Sequence, residues 1–421
     1  MPAKPVGTLT FNTPLANLHM RTITLQEEQS HSVAEADLSA EMVLRFLHKF
    51  PGKFDVEFPN IRNGWKYSIR SRGYIGFVLL APNVGLQVKP KVPINNVFRM
   101  LEYAYNLKSF ELKDEGTIFI DTVEDIFEQL ANILAKRVLA RNRKGLYRGY
   151  RSHREALPAV RGRIDVPATF VSLSRGVVQA VCEYEEHTAD LEDNQILAWT
   201  LYSLRHALFS EEARRLINRA FRELSHKVTV APVTAQACVE RLYHRLNDDY
   251  RPMHGLCRFF LEHMGPGIQS GNNDFIPFLL DMPRLFEAFV AEWLRVHLPP
   301  SLSLRKQARA KLDQESKLEF KVDLVILDTE TQKTICVIDT KYKRDALPDV
   351  SDIAQVTAYA VKMNTTKAIL VYPSSATREQ SLDIGVVTVM TRVWDIGSKP
   401  EEAGRQFLER LLSEILSPDE T

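Results

Sequence analysis

Two short apolar runs, Phe320 to Leu327 and Thr334 to Tyr342, each interrupted by one aspartate, constrain this chain more than any other feature. The polar stretch Asp328 to Lys333 between them is suited to a turn, and runs rich in Val and Ile on either side of a short polar linker predict a β-hairpin. Side chains alternate faces along a strand, so Asp339 and Lys341 point one way and Thr340 the other. With the turn centred near Glu330, Asp323 falls almost opposite residue 337, diagonal to Asp339 and on its face. Val322, Leu324 to Leu327 and Val337-Ile338 make both strands apolar on more than one face, as in a sheet covered on both sides. Carboxylates in such a sheet are expensive to bury unless paired with a metal or with one another. The competing reading is the solvated face of an edge strand, for which Asp-x-Lys alone is a weak signal.

Two carboxylates and an ammonium on one face suit metal-assisted phosphodiester hydrolysis. Asp323 and Asp339 would bind Mg²⁺ through oxygen, leaving waters and a place for a phosphate oxygen, with Mn²⁺ as the alternative ion. Lys341 would orient or deprotonate the attacking water, or offset charge developing on the phosphorane. Asp349 to Met363 follows with helical spacing, Ser351 as a plausible cap, and Gln355 and Tyr359 one turn apart on one face, so that Gln355 reaches the same site.

The remaining chain reads in sections. Phe54 to Phe58, Trp65 to Arg70, Tyr74 to Leu80 and Leu86 to Lys89 are strand candidates, the last two joined by a turn at Pro82 to Gly85, and Val33 to Phe50 has helical spacing. Trp65, Tyr67, Arg70, Arg72 and Tyr74 interleave aromatic and basic side chains, which suits base stacking or, equally, a sheet with an aromatic core face and a charged outer face. Helices are predicted over Val97 to Leu107, Thr122 to Leu139, Glu211 to Leu224, Ala235 to Leu246 and Leu256 to Met264. The acidic run Glu183 to Asp193 leads into and caps a helix beginning near Asn194, with Trp199, Leu201 and Leu204 inward. His244, His254 and His263 are scattered and receive no ligand role. Gly265-Pro266-Gly267 and Ser270 to Asn273 mark a boundary. Beyond it, Met282 to Leu298 is an amphipathic helix burying Leu285, Phe286, Phe289, Trp293 and Val296, stopped by Pro299-Pro300. Strands at Ser301 to Lys306, Lys367 to Tyr372 and Asp383 to Met390, and a helix at Pro400 to Leu416, complete the order αβββαβ with additions.

The net charge is +1, so a nucleic-acid surface must come from local clustering. The densest cluster is Lys136 to Arg163, where Arg141, Arg143, Lys144, Arg148, Arg151, Arg161 and Arg163 are candidate contacts to a phosphate backbone. A solvated basic face, or a surface for an acidic partner, is the alternative. Four dispersed cysteines without a Cys-x-x-Cys pair argue against structural zinc and a disulfide framework, and fit a reducing cytoplasm. No apolar run has the length of a membrane span, and no segment has the Walker pattern, so nucleotide binding through a P-loop is not expected.

Taken together, Asp323, Asp339-Thr340-Lys341 and the following Gln355 resemble the PD-(D/E)xK nuclease superfamily. More narrowly, Pro93 to Tyr105, Val160 to Val166, Thr188 to Ile196, Val322-Asp323, Ile338 to Tyr342 and Gln355 to Tyr359 are similar to McrC, the nuclease subunit of McrBC-type modification-dependent restriction systems. The resemblance implies a multidomain α+β chain: a β-rich N-terminal domain over residues 1–92 as a candidate docking surface, a mainly helical domain over 93–270, and a PD-(D/E)xK nuclease domain over 271–421. It also implies Mg²⁺ on Asp323, Asp339 and the backbone carbonyl of Thr340, and a site carboxylate at Glu287. The expected partners are an McrB-like AAA+ GTPase ring, stimulated by this chain, and modified double-stranded DNA. The alternatives are a non-cleaving adaptor that stimulates the GTPase and a stand-alone repair nuclease.

Overall fold

The structure, a computed structural model, describes residues 21–34, 38–81, 84–107, 121–207, 209–239, 241–264, 277–311, 319–343, 348–373 and 377–415. The expected turn at Pro82-Asn83 and the boundary loop at 265–273 lie outside these residues. In chain order the first elements are β1 (Arg21–Gln26), β2 (Ser30–Ala34), α1 (Ala40–Lys49), β3 (Phe54–Glu57), β4 (Lys66–Ser71), β5 (Tyr74–Ala81), β6 (Val84–Lys89) and α2 (Ile94–Ala104). Next come α3 (Val123–Lys144), β7 (Gly149–Leu157), β8 (Arg163–Ile164), α4 (Val166–Ser174), β9 (Ala180–Thr188), α5 (Glu192–Leu204), α6 (Glu211–Ser225) and α7 (Tyr250–His263). The chain continues through β10 (Phe278–Asp281), α8 (Met282–His297), β11 (Leu302–Lys311), β12 (Glu319–Asp328) and β13 (Thr334–Thr340). It closes with α9 (Val350–Lys362), β14 (Lys367–Tyr372), β15 (Gln380–Ile384), β16 (Val387–Val393) and α10 (Pro400–Ile415). The fold is mixed α and β, in two compact units that divide within α3: the described residues before Phe127 with those from Pro277 onward, and those from Phe127 to Met264.

In the first unit, β1, β6, β5 and β10 form one sheet and β2, β4 and β3 another. The strand β10 joins β5 because Gly76 lets the Phe278 backbone approach: a Cβ there would lie 2.5 Å from the Phe278 carbonyl oxygen, and the φ of +126° favours glycine. A six-stranded sheet runs β11-β12-β13-β14-β16-β15, antiparallel from β11 to β13, parallel from β13 through β14 to β16. Val356, Tyr359 and Ala360 of α9 pack on Val322, Val325, Val337, Ala368 and Leu370, and the intervening Leu324, Ile326, Ile338 and Ile369 are buried too. Burial on both faces is what the unbroken apolar runs predict. The helix α8 starts where the Asp281 carboxylate accepts the Arg284 N–H at 3.1 Å, with Pro283 in its first turn, and ends before Pro299-Pro300. Its Leu285, Phe286, Phe289 and Trp293 are buried, but Val296 is 55% exposed because it lies in the final turn, away from the sheet.

The second unit is mainly helical, with Leu130, Leu134, Ile196, Leu201, Phe259 and Phe260 in its core. From it β7, β9 and β8 form a three-stranded sheet, accompanied by α4, none of whose residues is buried.

Several local expectations change. The stretch from Val33 is not helical throughout: Val33 pairs with Tyr67 in the sheet, and the helix waits for Ser39, whose hydroxyl caps Met42 N–H at 3.3 Å. Only Ala235–Cys238 of the helix expected to Leu246 forms, as a 3₁₀ turn, because side chains of His244 and Asn247 take nearby backbone N–H groups and hold an irregular path. In β9, Glu183 and Glu186 lie opposite Arg154 and Arg151 of β7 and Glu185 opposite Ser152, and α5 begins at Glu192 with Leu191 at its N-cap position and no side-chain cap. Trp199 is half-buried, while Leu201 and Leu204 are buried. The strand expected at Asp383 to Met390 is a hairpin, β15 and β16, turned at Gly385 with φ +61°. At Trp65 to Tyr74 the sheet reading holds in part: Tyr67 and Ile69 point inward and Arg70 and Arg72 outward, but Trp65, just before β4, is 62% exposed and does not join the core face.

Candidate active site

The hairpin β12–β13 brings its two aspartates together more directly than the sequence spacing predicts. Val325 pairs with Val337 and Leu324 with Ile338, so the register continues to Asp323 across from Asp339, not residue 337. The shift arises at the turn. The Asp328 carboxylate accepts from the N–H groups of Glu330 at 3.1 Å and Thr331 at 2.7 Å, and a bulge between Ile326 and Leu327 absorbs one residue. Asp323 and Asp339 remain on one face, as expected.

Around them the side chains converge. Thr340 donates to Asp323 Oδ2 from its N–H at 3.1 Å and from its hydroxyl at 3.3 Å. Lys341 Nζ lies 2.8 Å from Asp339 Oδ2 and donates to Gln355 Oε1 at 3.0 Å, while Gln355 Nε2 donates to the Tyr359 hydroxyl at 2.5 Å. Thus α9 delivers Gln355 as predicted, although Asp349 rather than Ser351 holds its N-cap position. Lys341 ends the hydrogen-bonded part of its strand, donating its N–H to Val371 O at 2.9 Å.

Electrostatics separate the roles. Burial, and then the facing Asp323, raise the Asp339 carboxyl from 3.8 to about 6, against the pull of Lys341. Burial alone would lower Lys341, but its pairing with Asp339 and the charges of Asp352 and Asp323 override it and hold the ammonium above its ordinary value. Burial and the charge of Asp323 also raise Glu287 of α8, whose Oε1 accepts from Gln307 Nε2 at 3.3 Å. Glu287 is therefore close enough to Asp323 to feel it.

Two contributors escape sequence reasoning. Asp352 is buried, one turn before Gln355 on α9, with its Oδ1 3.6 Å from Lys341 Nζ; its Oδ2 accepts from Lys343 Nζ at 2.9 Å and from the Tyr372 hydroxyl at 3.2 Å. Burial opposes its charge, but the two lysines win and hold it below the usual carboxylate range. The three-residue spacing from Gln355 was the available signal. Gln307 of β11 falls between the pairs Lys306–Leu324 and Ala308–Val322, hence across from Asp323, with a φ of +45°. Such strain in a non-glycine residue gathers at functional sites, and nothing in the sequence announces it.

The seven basic candidates belong to the other compact unit. Arg141 lies 3.4 Å from Asp249, Arg151 3.5 Å from Asp190 and Arg161 3.6 Å from Glu186, whereas Arg143, Lys144, Arg148 and Arg163 are exposed.

Residues 69–373 match the family model of the McrBC 5-methylcytosine restriction system component. This chain belongs to that family. The matched segment of this McrBC-family chain contains every site residue from Glu287 to Gln355. Among curated proteins it is similar to the Type IV methyl-directed restriction enzyme EcoKMcrBC of Escherichia coli K12, 24% identical over 262 residues, spanning 60% of this chain and 74% of that one. Among solved structures it resembles a half-complex of Thermococcus gammatolerans McrB AAA+ hexamers with bound McrC, at a TM-score of 0.53 and 20% identity, covering 93% of this chain and 100% of the other. The McrBC complex of the same organism matches at a TM-score of 0.42 and 21% identity over 65% of this chain and 87% of that one. At these identities the structural likeness concerns the fold.

Proposed function

We propose that this chain is the DNA-cleaving subunit of a GTP-dependent, modification-dependent restriction complex, hydrolysing phosphodiesters in a PD-(D/E)xK domain with Mg²⁺. The observation that carries the reading is the placement of Asp323 across from Asp339 with Lys341 Nζ 2.8 Å from the latter. Membership of the McrBC family supports it. The order α8-β11-β12-β13-α9-β14 supports the reading, since it is the αβββαβ succession expected from the resemblance. McrC bound to McrB AAA+ hexamers in Thermococcus supports docking on an McrB-like AAA+ ring, whose GTPase this chain would stimulate. Double-stranded DNA is the substrate, with Arg143, Lys144, Arg148 and Arg163 as the exposed candidates for phosphate contact.

The donors fit a hard cation. Asp339 Oδ2 is buried and, apart from its ion pair with Lys341, accepts no hydrogen bond among the described residues, and the facing Asp323 disfavours its charge. Among the described residues no three His, Cys, Asp or Glu side chains form a closed cage. Mg²⁺ needs none: one or two carboxylates with waters and substrate phosphate suffice. Asp323 and Asp339, with the Thr340 carbonyl, would hold the ion, whose chemistry is to polarise a phosphate oxygen and acidify water.

The chain's own groups do the rest. Lys341, kept protonated, places positive charge where negative charge develops on the phosphorane, which favours an electrostatic role over that of a base. Gln355 and Asp352 fix the direction of its ammonium. Glu287, with its raised proton affinity, is suited to accept a proton from the attacking water.

Metal affinity supplies the test. Asp339, raised to about 6, must lose its proton to bind a cation, so Mg²⁺ affinity of the purified chain falls by roughly tenfold per pH unit below that value. Calorimetric titration at about pH 7.5 and about pH 5 is expected to show this loss, and Asp323→Asn to remove binding at both; equal affinity at the two pH values would contradict the assignment. Replacing Asp352 by Asn removes one charge behind Lys341 and is expected to slow cleavage by about tenfold with little change in DNA affinity. A binding defect at unchanged single-turnover rate would place Asp352 elsewhere in the cycle.

A further inference from the structure

The N-terminal strands and the catalytic hairpin meet at a buried carboxylate that the proposed chemistry does not use. Glu27, just after β1, is 2% exposed, and its Oε1 accepts no hydrogen bond among the described residues. Burial raises it to about 7, against the nearby Lys91. A half-satisfied buried carboxyl is a liability for stability alone, so its partners are informative. Its Oε2 accepts the Lys91 backbone N–H at 3.1 Å and the Tyr342 hydroxyl at 3.3 Å. The Lys91 ammonium, buried and paired with Glu28 at 2.6 Å, sits 4.0 Å from the centre of the Tyr342 ring. Phe286 of α8 closes another side, 6.0 Å between ring centroids. Tyr342 is thus held at its hydroxyl, its face and its flank.

Tyr342 is the residue after Lys341. The sheet's hold on this strand ends with the bond from Lys341 N–H to Val371, and Lys343 N–H already turns back to Lys341 O at 2.9 Å. The sheet therefore fixes Lys341 only on its N-terminal side. Its other side is held by the anchors of Tyr342 and, one residue on, by Lys343, whose ammonium pairs with Asp349 at 2.7 Å and Asp352 at 2.9 Å.

We infer that Glu27 and Lys91 are positioning residues for the nuclease site, gripping Tyr342 so that the outgoing backbone keeps Lys341 aimed between Asp339 and Gln355. The N-terminal strands then act as a brace on the catalytic strand. This inference rests on the nuclease reading for its effect on cleavage, but not for its effect on the backbone.

The test uses the full chain with Glu27→Ala, Glu27→Gln and Tyr342→Phe, plus the Glu27→Ala/Tyr342→Phe double variant. Three quantities are read: single-turnover cleavage of methylated plasmid at saturating Mg²⁺ with an McrB-type partner and GTP, DNA affinity, and hydrogen exchange of the amides of residues 341–343. Glu27→Ala is expected to slow cleavage by about tenfold to a hundredfold with DNA affinity unchanged, and to speed exchange at those amides alone. Glu27→Gln, which keeps an acceptor for both donors, should stay within about twofold of the parent, and the double variant should be no slower than the worse single one. Unchanged exchange in Glu27→Ala, or a Gln variant as impaired as the Ala variant, would overturn the inference. A parent chain that does not cut at all would sink the nuclease reading instead, while the exchange measurement would still decide whether the brace exists.

Discussion

Lys341→Ala and Asp339→Asn are each expected to lower DNA cleavage by about a hundredfold to a thousandfold or more while the fold survives. Lys341 places its positive charge 2.8 Å from Asp339, and beyond that ion pair the buried Oδ2 of Asp339 accepts no hydrogen bond among the described residues. The Asp339 variant should also move stability in the opposite direction to activity. Its carboxyl is raised from 3.8 to about 6, so the folded chain binds the proton more tightly than the unfolded chain does. That contribution is fully present below the ordinary value and is lost as pH rises through about 6, where the ionised group becomes a burden on the metal-free fold. Asn removes the burden. Melting of the metal-free chain at about pH 8 should therefore rise by a few degrees in Asp339→Asn and show no gain at about pH 3.5. A variant that cuts normally, or that loses activity only by unfolding, would contradict the role given to Asp339.

The largest effect on stability is expected at Trp394. Its indole N–H donates to Pro400 O at 3.0 Å, and its ring stacks on Phe407 at 5.0 Å. It also meets Trp293 edge-on at 5.0 Å and Phe289 at 5.3 Å. These rings join α10 to α8, the helix that carries Glu287. Trp394→Ala should cost about 3–5 kcal/mol, the range for removing a large buried aromatic. Overpacking the same place should also be costly, because a Cβ on Gly404 would lie 2.6 Å from Trp394 and 2.7 Å from Trp293, with both rings enclosed. Gly404→Ala is expected to cost about 1–3 kcal/mol. Denaturant unfolding measures both; a loss below about 1 kcal/mol in Trp394→Ala would mean that the aromatic cluster does not hold these helices together.

The hairpin was legible because its two signals agree: runs apolar on both faces, each interrupted by one aspartate, Asp323 and Asp339, with Lys341 two residues after the second. The superfamily resemblance was legible for the same reason, since it rests on those residues and on Gln355, whereas the narrower family resemblance also draws on segments far from the hairpin, from Pro93 to Tyr105 through Thr188 to Ile196. The register was not, because the Asp328 turn and its bulge depend on side-chain hydrogen bonds that the turn length does not reveal. Asp352 was missed because one more acidic residue in a first helical turn reads as an ordinary favourable charge. Its value comes from Lys341 and Lys343, brought to it from a strand. Glu27 was equally silent, since its partner Tyr342 is 315 residues away. The four-residue β10 offers no periodicity of its own, and its pairing depends on a glycine two hundred residues earlier.

The most direct measurement is cleavage of methylated and unmethylated plasmid by the purified chain with Mg²⁺, with and without an McrB-type AAA+ partner and GTP. The account predicts cutting of the methylated plasmid only when partner, GTP and Mg²⁺ are all present, and none with Lys341→Ala. Efficient cutting by the chain alone, or stimulation of the partner's GTPase with no cutting under any condition, would contradict it.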